Sequence, residues 1–284
     1  MSIADSAVLV TLSIGTWSAR KLDKHKTEEV NAQNNADSRA ANLTKNLMVG
    51  TGLVKQVVDY AAACRLENTR WTLPWANDGE RCLPTKLVLP YKTEFNKRKD
   101  EFYRLRDRVV DNYYSLQQTA ANYLGDFYNP DDYPDVDTVW GKYEWRQTWK
   151  PIPTSGHLYV DLPAQELDEM RRSVDETTAA AARESARHNW QTMYKLLSAM
   201  SEKLAQANDE TKKTRFHDAF VDNAVDLCRM LEHFNLTQDP ELERARRMLE
   251  DTIRGADITV IKESLMVRED MKAKVDNIIN QFDW

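Results

Sequence analysis

The sequence predicts a mainly α fold, in which a long antiparallel helical hairpin is combined with a small antiparallel β-sheet and a C-terminal helical bundle. Two long segments whose apolar residues step by threes and fours, short alternating segments beside them, and further helical spacing in the last third predict this fold. The chain has 284 residues, 42% of them hydrophobic, so it can bury a sizeable core. We expect two parts: residues 1–206, with the hairpin and sheet, and residues 207–284, a helical segment packed on the first.

The N-terminal third begins with a predicted strand. Apolar residues alternate from Val8 to Ile14, and Gly15 ends the run. The basic and amide-rich residues 20–35 predict a solvated helix or an arm. Residues 37–70 predict a helix interrupted by Gly50 and Gly52, and residues 72–84 predict a turn-rich loop.

Two long helices form the predicted hairpin. The first runs from after Pro90 to about Phe127, and the second starts after Pro163, where proline suits the first turn. The run Ala179 to Ala182 lets another helix approach closely. The second helix has one continuous row of mostly apolar residues: Leu167, Met170, Val174, Thr178, Ala181, Ser185, Asn189, Met193, Leu196, Met200 and Leu204.

Between these helices the sequence predicts a β-hairpin. Its strands cover 143–149 and 157–161, and we expect it to join the N-terminal strand in one sheet because a lone hairpin is marginal in water. The last third predicts helices near 214–235, 239–254 and 257–281, with breaks at Asp239-Pro240 and Gly255 and an ion pair between Glu243 and Arg247.

Composition and motifs argue against an enzyme. The sequence has no phosphate-binding glycine loop, no nucleophile elbow and no zinc-protease pair of histidines. Its three cysteines are widely spaced, which argues against disulfides and a zinc site, so we predict no cofactor and no metal. The acidic turn from Asp131 to Asp137 lacks the glycine and closing glutamate of a calcium loop, so helix capping explains it better.

No apolar run is long enough to span a membrane, and the N-terminus makes a poor secretory signal, so we expect a cytoplasmic protein.

Tryptophans beside basic residues indicate a nucleic-acid surface. The net charge is −6, but residues 1–100 carry 15 Lys+Arg against 11 Asp+Glu. Single-stranded nucleic acid is held by bases stacked on aromatic rings while cations follow the phosphates. The alternative, favoured by the opposite facing of rings and cations on one strand, is that the tryptophans seal the sheet against the helices. The candidate residues are Trp17, Arg20, Lys21, Lys24, Trp71, Trp75, Arg81, Trp145, Arg146, Trp149 and Lys150.

The C-terminal tip, Phe282, Asp283 and Trp284, is a second candidate site. An exposed aromatic tip next to a free carboxylate could dock a protein partner. The alternative is that the tip folds onto the core as the last turn of a helix.

Three stretches resemble one family. They are Ser13-Ile14-Gly15-Thr16-Trp17-Ser18-Ala19-Arg20-Lys21-Leu22-Asp23-Lys24, Leu73-Pro74-Trp75-Ala76-Asn77-Asp78-Gly79 and Tyr133-Pro134-Asp135-Val136-Asp137. With the segments that follow, they resemble a family of unassigned chemistry that tailed phages and integrative elements of proteobacteria encode. The resemblance covers most of residues 1–205. It implies a phage or mobile-element origin and an association with genes for MoxR-type AAA+ ATPases, and it brings no catalytic residues.

Two functions follow as hypotheses. The first is a non-enzymatic interaction or adaptor protein whose long helices supply a surface for self-association or for a partner such as an AAA+ ATPase. The second is a single-stranded nucleic-acid-binding protein that uses the tryptophan, arginine and lysine residues named above.

Overall fold

Helices and a small antiparallel sheet build the chain, which confirms the mainly α fold. The structure, a computed structural model, describes residues 3–75, 79–207 and 219–284. The helices in these residues are α1 (Ile3–Ser6), α2 (Lys24–Gln33), α3 (Leu53–Trp71), α4 (Val88–Asp111), α5 (Tyr113–Leu124), α6 (Val136–Gly141), α7 (Ala164–Ala207), α8 (Ala219–Phe234), α9 (Pro240–Ile253), α10 (Ile258–Glu263) and α11 (Leu265–Gln281). The strands are β1 (Ala7–Gly15), β2 (Arg20–Leu22), β3 (Thr44–Asn46), β4 (Leu73–Pro74), β5 (Arg81–Pro84) and β6 (Glu144–Pro151).

The chain divides into two compact units, each assembled from separate stretches of sequence. The α7 unit consists of Met1–Thr11, Thr69–Leu89 and Trp149–Trp284, and the α4 unit consists of Leu12–Asn68 and Pro90–Thr148. This division differs from the expected boundary at residue 206, because helices α8 to α11 share one hydrophobic core with α7.

A four-stranded sheet has the strand order β4-β5-β1-β6. Strand β1 pairs antiparallel with β5, and Ala7 lies opposite Pro84. The strands predicted at 8–14 and 143–149 are confirmed as β1 and β6. The strand predicted at 157–161 is wrong, because Ser155–His157 forms a 3-10 turn and the Thr178 hydroxyl of α7 donates to the Pro153 carbonyl at 3.2 Å. Together with the Ser155 N–H, which donates to Asp175 Oδ1 at 3.3 Å, this bond holds residues 153–155 against α7, whereas Tyr159 and Val160 are exposed.

Aromatic side chains fill the core of the α4 unit. The Tyr91 and Phe95 rings are stacked with centroids 4.1 Å apart, and the Tyr91 hydroxyl donates to Asn68 Oδ1 at 2.7 Å. The long helix predicted after Pro90 is present as α4 and α5, which are separated at Asn112. The amide of Asn112 donates to the Arg108 carbonyl at 2.8 Å, a local bond that competes with the helical ladder.

Residues 37–52 correct the sequence prediction. We expected the helix of 37–70 to include them, but α3 begins only at Leu53. Gly50 has a φ of +80°, a left-handed conformation that a helix cannot contain, and Thr44–Asn46 pairs with β2 instead. The buried Asn31 of α2 donates to the carbonyls of Ser38 at 3.0 Å and Ala41 at 3.2 Å, which holds this loop in place.

Helix α7 starts directly after Pro163, as predicted, and its 44 residues extend about 66 Å. It runs antiparallel to α11, since Trp190 contacts Trp284 while Ser201 Oγ donates to Asp276 Oδ1 at 2.5 Å. The hairpin therefore differs from the predicted one: the helix after Pro90 belongs to the other unit, and the partner of α7 in its own unit is α11. No described helix combines the length and apolar character needed to cross a membrane.

The C-terminal helices follow the predicted breaks. The Asp239 side chain accepts from the backbone N–H groups of Glu241 and Leu242 at the start of α9, and Gly255 has a φ of +69° just beyond its end. The predicted ion pair between Glu243 and Arg247 is present at 2.7 Å. The helix predicted for 257–281 is divided into α10 and α11 at Ser264, and the start of the one predicted at 214 lies outside the described residues.

All three cysteines are buried and none is bonded to another. Cys64 belongs to the α4 unit, whereas Cys82 and Cys228 belong to the α7 unit. Burial raises the pKa of Cys82 to about 12 and that of Cys228 to about 11, and it also raises the pKa of Cys64. The thiols therefore stay protonated at neutral pH.

The core of the α7 unit provides a test of this architecture. Leu197 is fully buried, and we expect Leu197→Ala to lower the free energy of unfolding by about 2–5 kcal/mol because it removes buried methyl groups and leaves a cavity. Leu265→Ala is the matched control, since Leu265 is 49% exposed and its truncation should change stability by no more than about 0.5 kcal/mol. Urea unfolding followed by circular dichroism measures both, and equal effects would contradict this core.

Candidate docking surface

Three of the tryptophans predicted to stack on bases are core residues. Trp17, Trp75 and Trp145 are each at most 8% exposed. The Trp145 ring lies 5.7 Å from Phe102, and the Trp17 ring lies 5.9 Å from Tyr113. A ring enclosed in this way has no open face for a base. Their burial matches the alternative interpretation, in which tryptophans seal the protein interior.

Most of the predicted basic residues have partners within the chain. Arg81 donates to the Thr72 hydroxyl at 2.5 Å and to the Thr72 carbonyl at 2.7 Å. Lys150 pairs with Glu80 at 2.5 Å, Arg146 pairs with Glu144 at 2.5 Å, and Lys21 pairs with Asp132 at 2.9 Å. Arg20 and Lys24 are exposed.

The predicted nucleic-acid residues also belong to different units. The α4 unit contains Trp17, Arg20, Lys21, Lys24, Trp145 and Arg146, and the α7 unit contains Trp71, Trp75, Arg81, Trp149 and Lys150. Trp149 is 37% exposed, and Trp71 is half-buried. Neither unit brings its share together as an open row of rings beside free cations.

Trp140 is an exposed tryptophan that the sequence analysis missed. It is 52% exposed, and the Arg106 guanidinium lies 5.0 Å from its ring centroid and 4.4 Å from that of Tyr103. Tyr103 and Arg106 are neighbours on one face of α4, but Trp140 is distant in sequence. No local pattern could therefore have revealed this stack, although cation–π contacts of this kind hold an exposed ring in place.

A cluster of charges joins the basic N-terminal segment to the acidic turn inside the α4 unit. Lys45 Nζ contacts Asp132, lies 3.3 Å from Asp23 Oδ2 and donates to the Phe127 carbonyl at 2.9 Å. Burial acts to raise the pKa of Asp132, but hydrogen bonds from Lys45 and Lys21 outweigh it, so the pKa is lowered. We call Lys21, Asp23, Lys45 and Asp132 the ion cluster. Its charges satisfy one another.

The rest of the acidic turn caps a helix, as predicted. Asp135 accepts from the Thr138 N–H at 2.8 Å at the start of α6, and this bond and the Thr138 hydroxyl lower the pKa of its carboxyl. The residues that the structure describes contain no group of three His, Cys, Asp or Glu side chains placed to hold a metal ion.

The C-terminal tip packs on α7. The Trp284 ring lies 5.3 Å from that of Trp190, and its indole N–H donates to the Ile279 carbonyl at 2.7 Å. Phe282 lies 5.8 Å from Trp190, and Asp283 is exposed. This is the second of the two arrangements left open for the tip, in which the end of the last helix folds onto the core. A docking role for Phe282, Asp283 and Trp284 stays a prediction.

The predicted row of mostly apolar residues from Leu167 to Leu204, which we call the α7 row, changes from open to buried along α7. None of residues 164–184 is buried, whereas Ser185, Asn189, Met193, Met200 and Leu204 of the row are. The change occurs where two polar side chains anchor the helix: Ser185 Oγ donates to the Pro74 carbonyl at 2.5 Å, and Asn189 Nδ2 donates to the Phe234 carbonyl at 2.9 Å. The sequence predicts the row but not the residue at which burial of the row begins.

Large apolar side chains are exposed near the start of α7. Tyr159 is 85% exposed and Met170 is 42% exposed, with Val160 and Leu162 also in the exposed class. Single exposed apolar residues are normal, but a sequence-local group at the end of an uncovered helix is typical of an interaction site.

A groove of about 550 Å³ lies beside the open half of α7. We call it the α7 groove. Apolar and polar residues line it in equal number: Trp75, Pro153, Val174, Ala180 and Ala181, with Glu80, Ser173, Thr177, Thr178 and Glu184. Ala181 and Ala182 pack against the core of Leu73 and Ile152, so the small residues of the alanine run do allow a close approach, here by the sheet. Ala180 is exposed in the groove.

The ion cluster supplies a pH-dependent test. We expect Lys45→Met to lower the stability of the α4 unit at pH 7 by about 1–3 kcal/mol, because Asp23 and Asp132 lose their shared cation. In the folded chain the Lys26 N–H and Lys45 lower the pKa of Asp23 below its ordinary value of 3.8, and Lys45 and Lys21 do the same for Asp132. The contribution of both carboxyls is therefore present above that pH and is lost as the pH falls through the lowered pKa. The difference between wild type and variant should shrink at pH 3. A pH-independent difference in chemical unfolding would contradict it.

Comparison with known proteins adds no relative to this geometry. No protein-family model, curated protein or solved structure matches the chain. The resemblance to a phage and mobile-element family therefore stays a prediction.

Proposed function

We propose that this chain is a non-enzymatic interaction protein, an adaptor of phage or mobile-element origin that acts in the cytoplasm of a bacterial host cell. Its docking surface is the open half of α7, residues 164–184, with the apolar residues that precede it. The observation that carries this proposal is the absence of any buried residue in those 21 positions of the helix.

An uncovered helix of this length needs a physical reason. The open half of α7 extends about 31 Å, and helices in water gain most of their stability from packing one face against other elements. Leu167, Met170 and Val174 continue the spacing of the row that is buried further along α7. A protein partner that covers these three residues would complete the row.

The resemblance to the phage and mobile-element family suggests which partner to test first. That family is associated with genes for MoxR-type AAA+ ATPases, so an ATPase of this type is our first candidate for the protein that docks on α7. Residues 185–207 contribute all the buried side chains of the helix, and of the open half only Ala181 and Ala182 pack against a core of the unit.

A second candidate function is single-stranded nucleic-acid binding centred on Trp140. Its support is the exposed ring held by Arg106, because stacking of a base on an exposed tryptophan contributes about 1–3 kcal/mol. This site replaces the buried Trp17, Trp75 and Trp145 as the place where a base could stack.

The adaptor proposal is tested by photo-crosslinking in host cells. A photoreactive amino acid at Met170 should yield one discrete adduct, because Met170 lies in the open half of α7. The same amino acid at Met266, which is 76% exposed on α11, is the control and should yield none. Mass spectrometry of the adduct identifies the partner. No adduct at Met170, or the same adduct at both positions, would sink the proposal.

The nucleic-acid candidate is tested by tryptophan fluorescence. Titration with a 12-nucleotide single strand at low salt should quench the signal, and the affinity should fall as salt rises. Trp140→Ala should weaken binding at least fivefold, whereas Trp149→Ala, which removes another partly exposed ring, should leave it within twofold. A flat wild-type titration removes this candidate.

A further inference from the structure

We infer that the α7 groove accepts a basic amphipathic helix of about 20 residues from the partner protein. This inference depends on the proposed docking function and adds the chemical class of the partner. It follows from the shape of the groove and from the charges along its edge.

The groove has the shape for an apolar anchor. Thr177, Ala180 and Ala181 are small, and Trp75 and Pro153 also line the groove. Side chains this small leave room for a large side chain from another helix to enter between them. Recognition of a helix in a groove uses anchors of this kind at spacings of three and four residues.

A row of carboxylates follows the same side of the helix. Glu166, Glu169, Glu176 and Glu184 lie on one side of α7, because steps of three and four residues connect them through Ser173 and Ala180. Glu184 pairs with Arg187. The other three, which we call the acidic row, have no ion pair with any described residue. Residues 164–184 contain six acidic residues against three arginines.

These charges select among the occupants of the groove. A basic helix places Lys or Arg side chains beside the acidic row, as flanking charges do in paired helices. A second copy of this chain would place an acidic row against an acidic row, because an antiparallel pair formed through this stretch of α7 brings Glu166 of one copy towards Glu176 of the other. Phosphates would be repelled in the same way, so the occupant is neither a copy of the chain nor nucleic acid.

The length of the site sets the length of the partner helix. From Glu166 to Glu184 the helix rises about 27 Å, which about 18 residues of a second helix match. The groove lies near one end of this stretch and the exposed Met170 near the other. A partner helix that spans both would cover the open part of the α7 row.

Two labelled 20-residue peptides test the inference on the full chain. Both have leucines at spacings of three and four residues; one has lysines at the flanking positions, and the other has glutamates. Fluorescence anisotropy at moderate salt should show at least tenfold tighter binding of the lysine peptide. Glu169→Lys combined with Glu176→Lys should reverse the preference, and both positions are exposed, so the fold should tolerate the change.

A pair of neighbouring alanines separates groove binding from general attraction of charge. Ala180→Trp fills the groove and should weaken the lysine peptide at least tenfold. Ala179→Trp places the same side chain one residue away, where the helix turns it to a different face, and should leave affinity within twofold. Both positions are exposed, and circular dichroism checks that both variants fold.

The outcomes distinguish the two proposals. Equal binding of the two peptides, or equal loss in the two alanine variants, overturns the inference about the partner. Failure of both peptides while the Met170 adduct still forms also overturns it, and leaves the docking function standing. Failure of both peptides together with a missing Met170 adduct overturns both.

Discussion

Two buried hydrogen bonds fix the position of α7, and the candidate surface depends on them. Ser185 and Asn189 are polar residues in an otherwise mostly apolar row, and each would be costly to bury without a partner. Each donates to a backbone carbonyl, of Pro74 in β4 and of Phe234 at the end of α8. These bonds can form only when one particular face of α7 points inwards and Ser185 lies beside Pro74. They mark the point along α7 from which side chains are buried, since none of residues 164–184 is buried and Ser185 and Asn189 are.

The groove follows from this anchoring. Trp75 comes directly after Pro74, so the bond from Ser185 also places the Trp75 ring beside the alanines that precede Ser185. The same tryptophan that the sequence suggested as a surface for bases thus becomes one wall of an apolar groove. In the α4 unit, by contrast, Lys45 and its acidic neighbours Asp23 and Asp132 neutralise one another, so the ion cluster itself offers little free charge to a ligand.

Local sequence patterns predicted the helices and strands better than they predicted which of these elements pack together. The start of α7 after Pro163, the row along it and the cap at Asp239 depend on residues close in sequence, and all are present. The missing strand at 157–161 and the partner of α7 depend on contacts between distant segments. Thr178 holds Pro153, and α11 occupies the apolar face, neither of which a single segment can show.

The candidate site was predicted less well for the same reason. Tryptophan beside arginine or lysine looks alike in sequence whether the ring is buried or open, and only the fold distinguishes Trp145 from Trp140. The acidic row could have been read from the spacing of its glutamates along α7. What the sequence lacked was the observation that this half of the helix stays uncovered.

The three buried cysteines give each unit its own chemical reporter. Because a thiol must be exposed and deprotonated to react, alkylation of these side chains requires the surrounding structure to open first. Cys64 then records opening of the α4 unit, and Cys82 and Cys228 record opening of the α7 unit. A single time course of alkylation, read by mass spectrometry of the peptides, therefore separates the kinetic stabilities of the two units in the native chain without any introduced label.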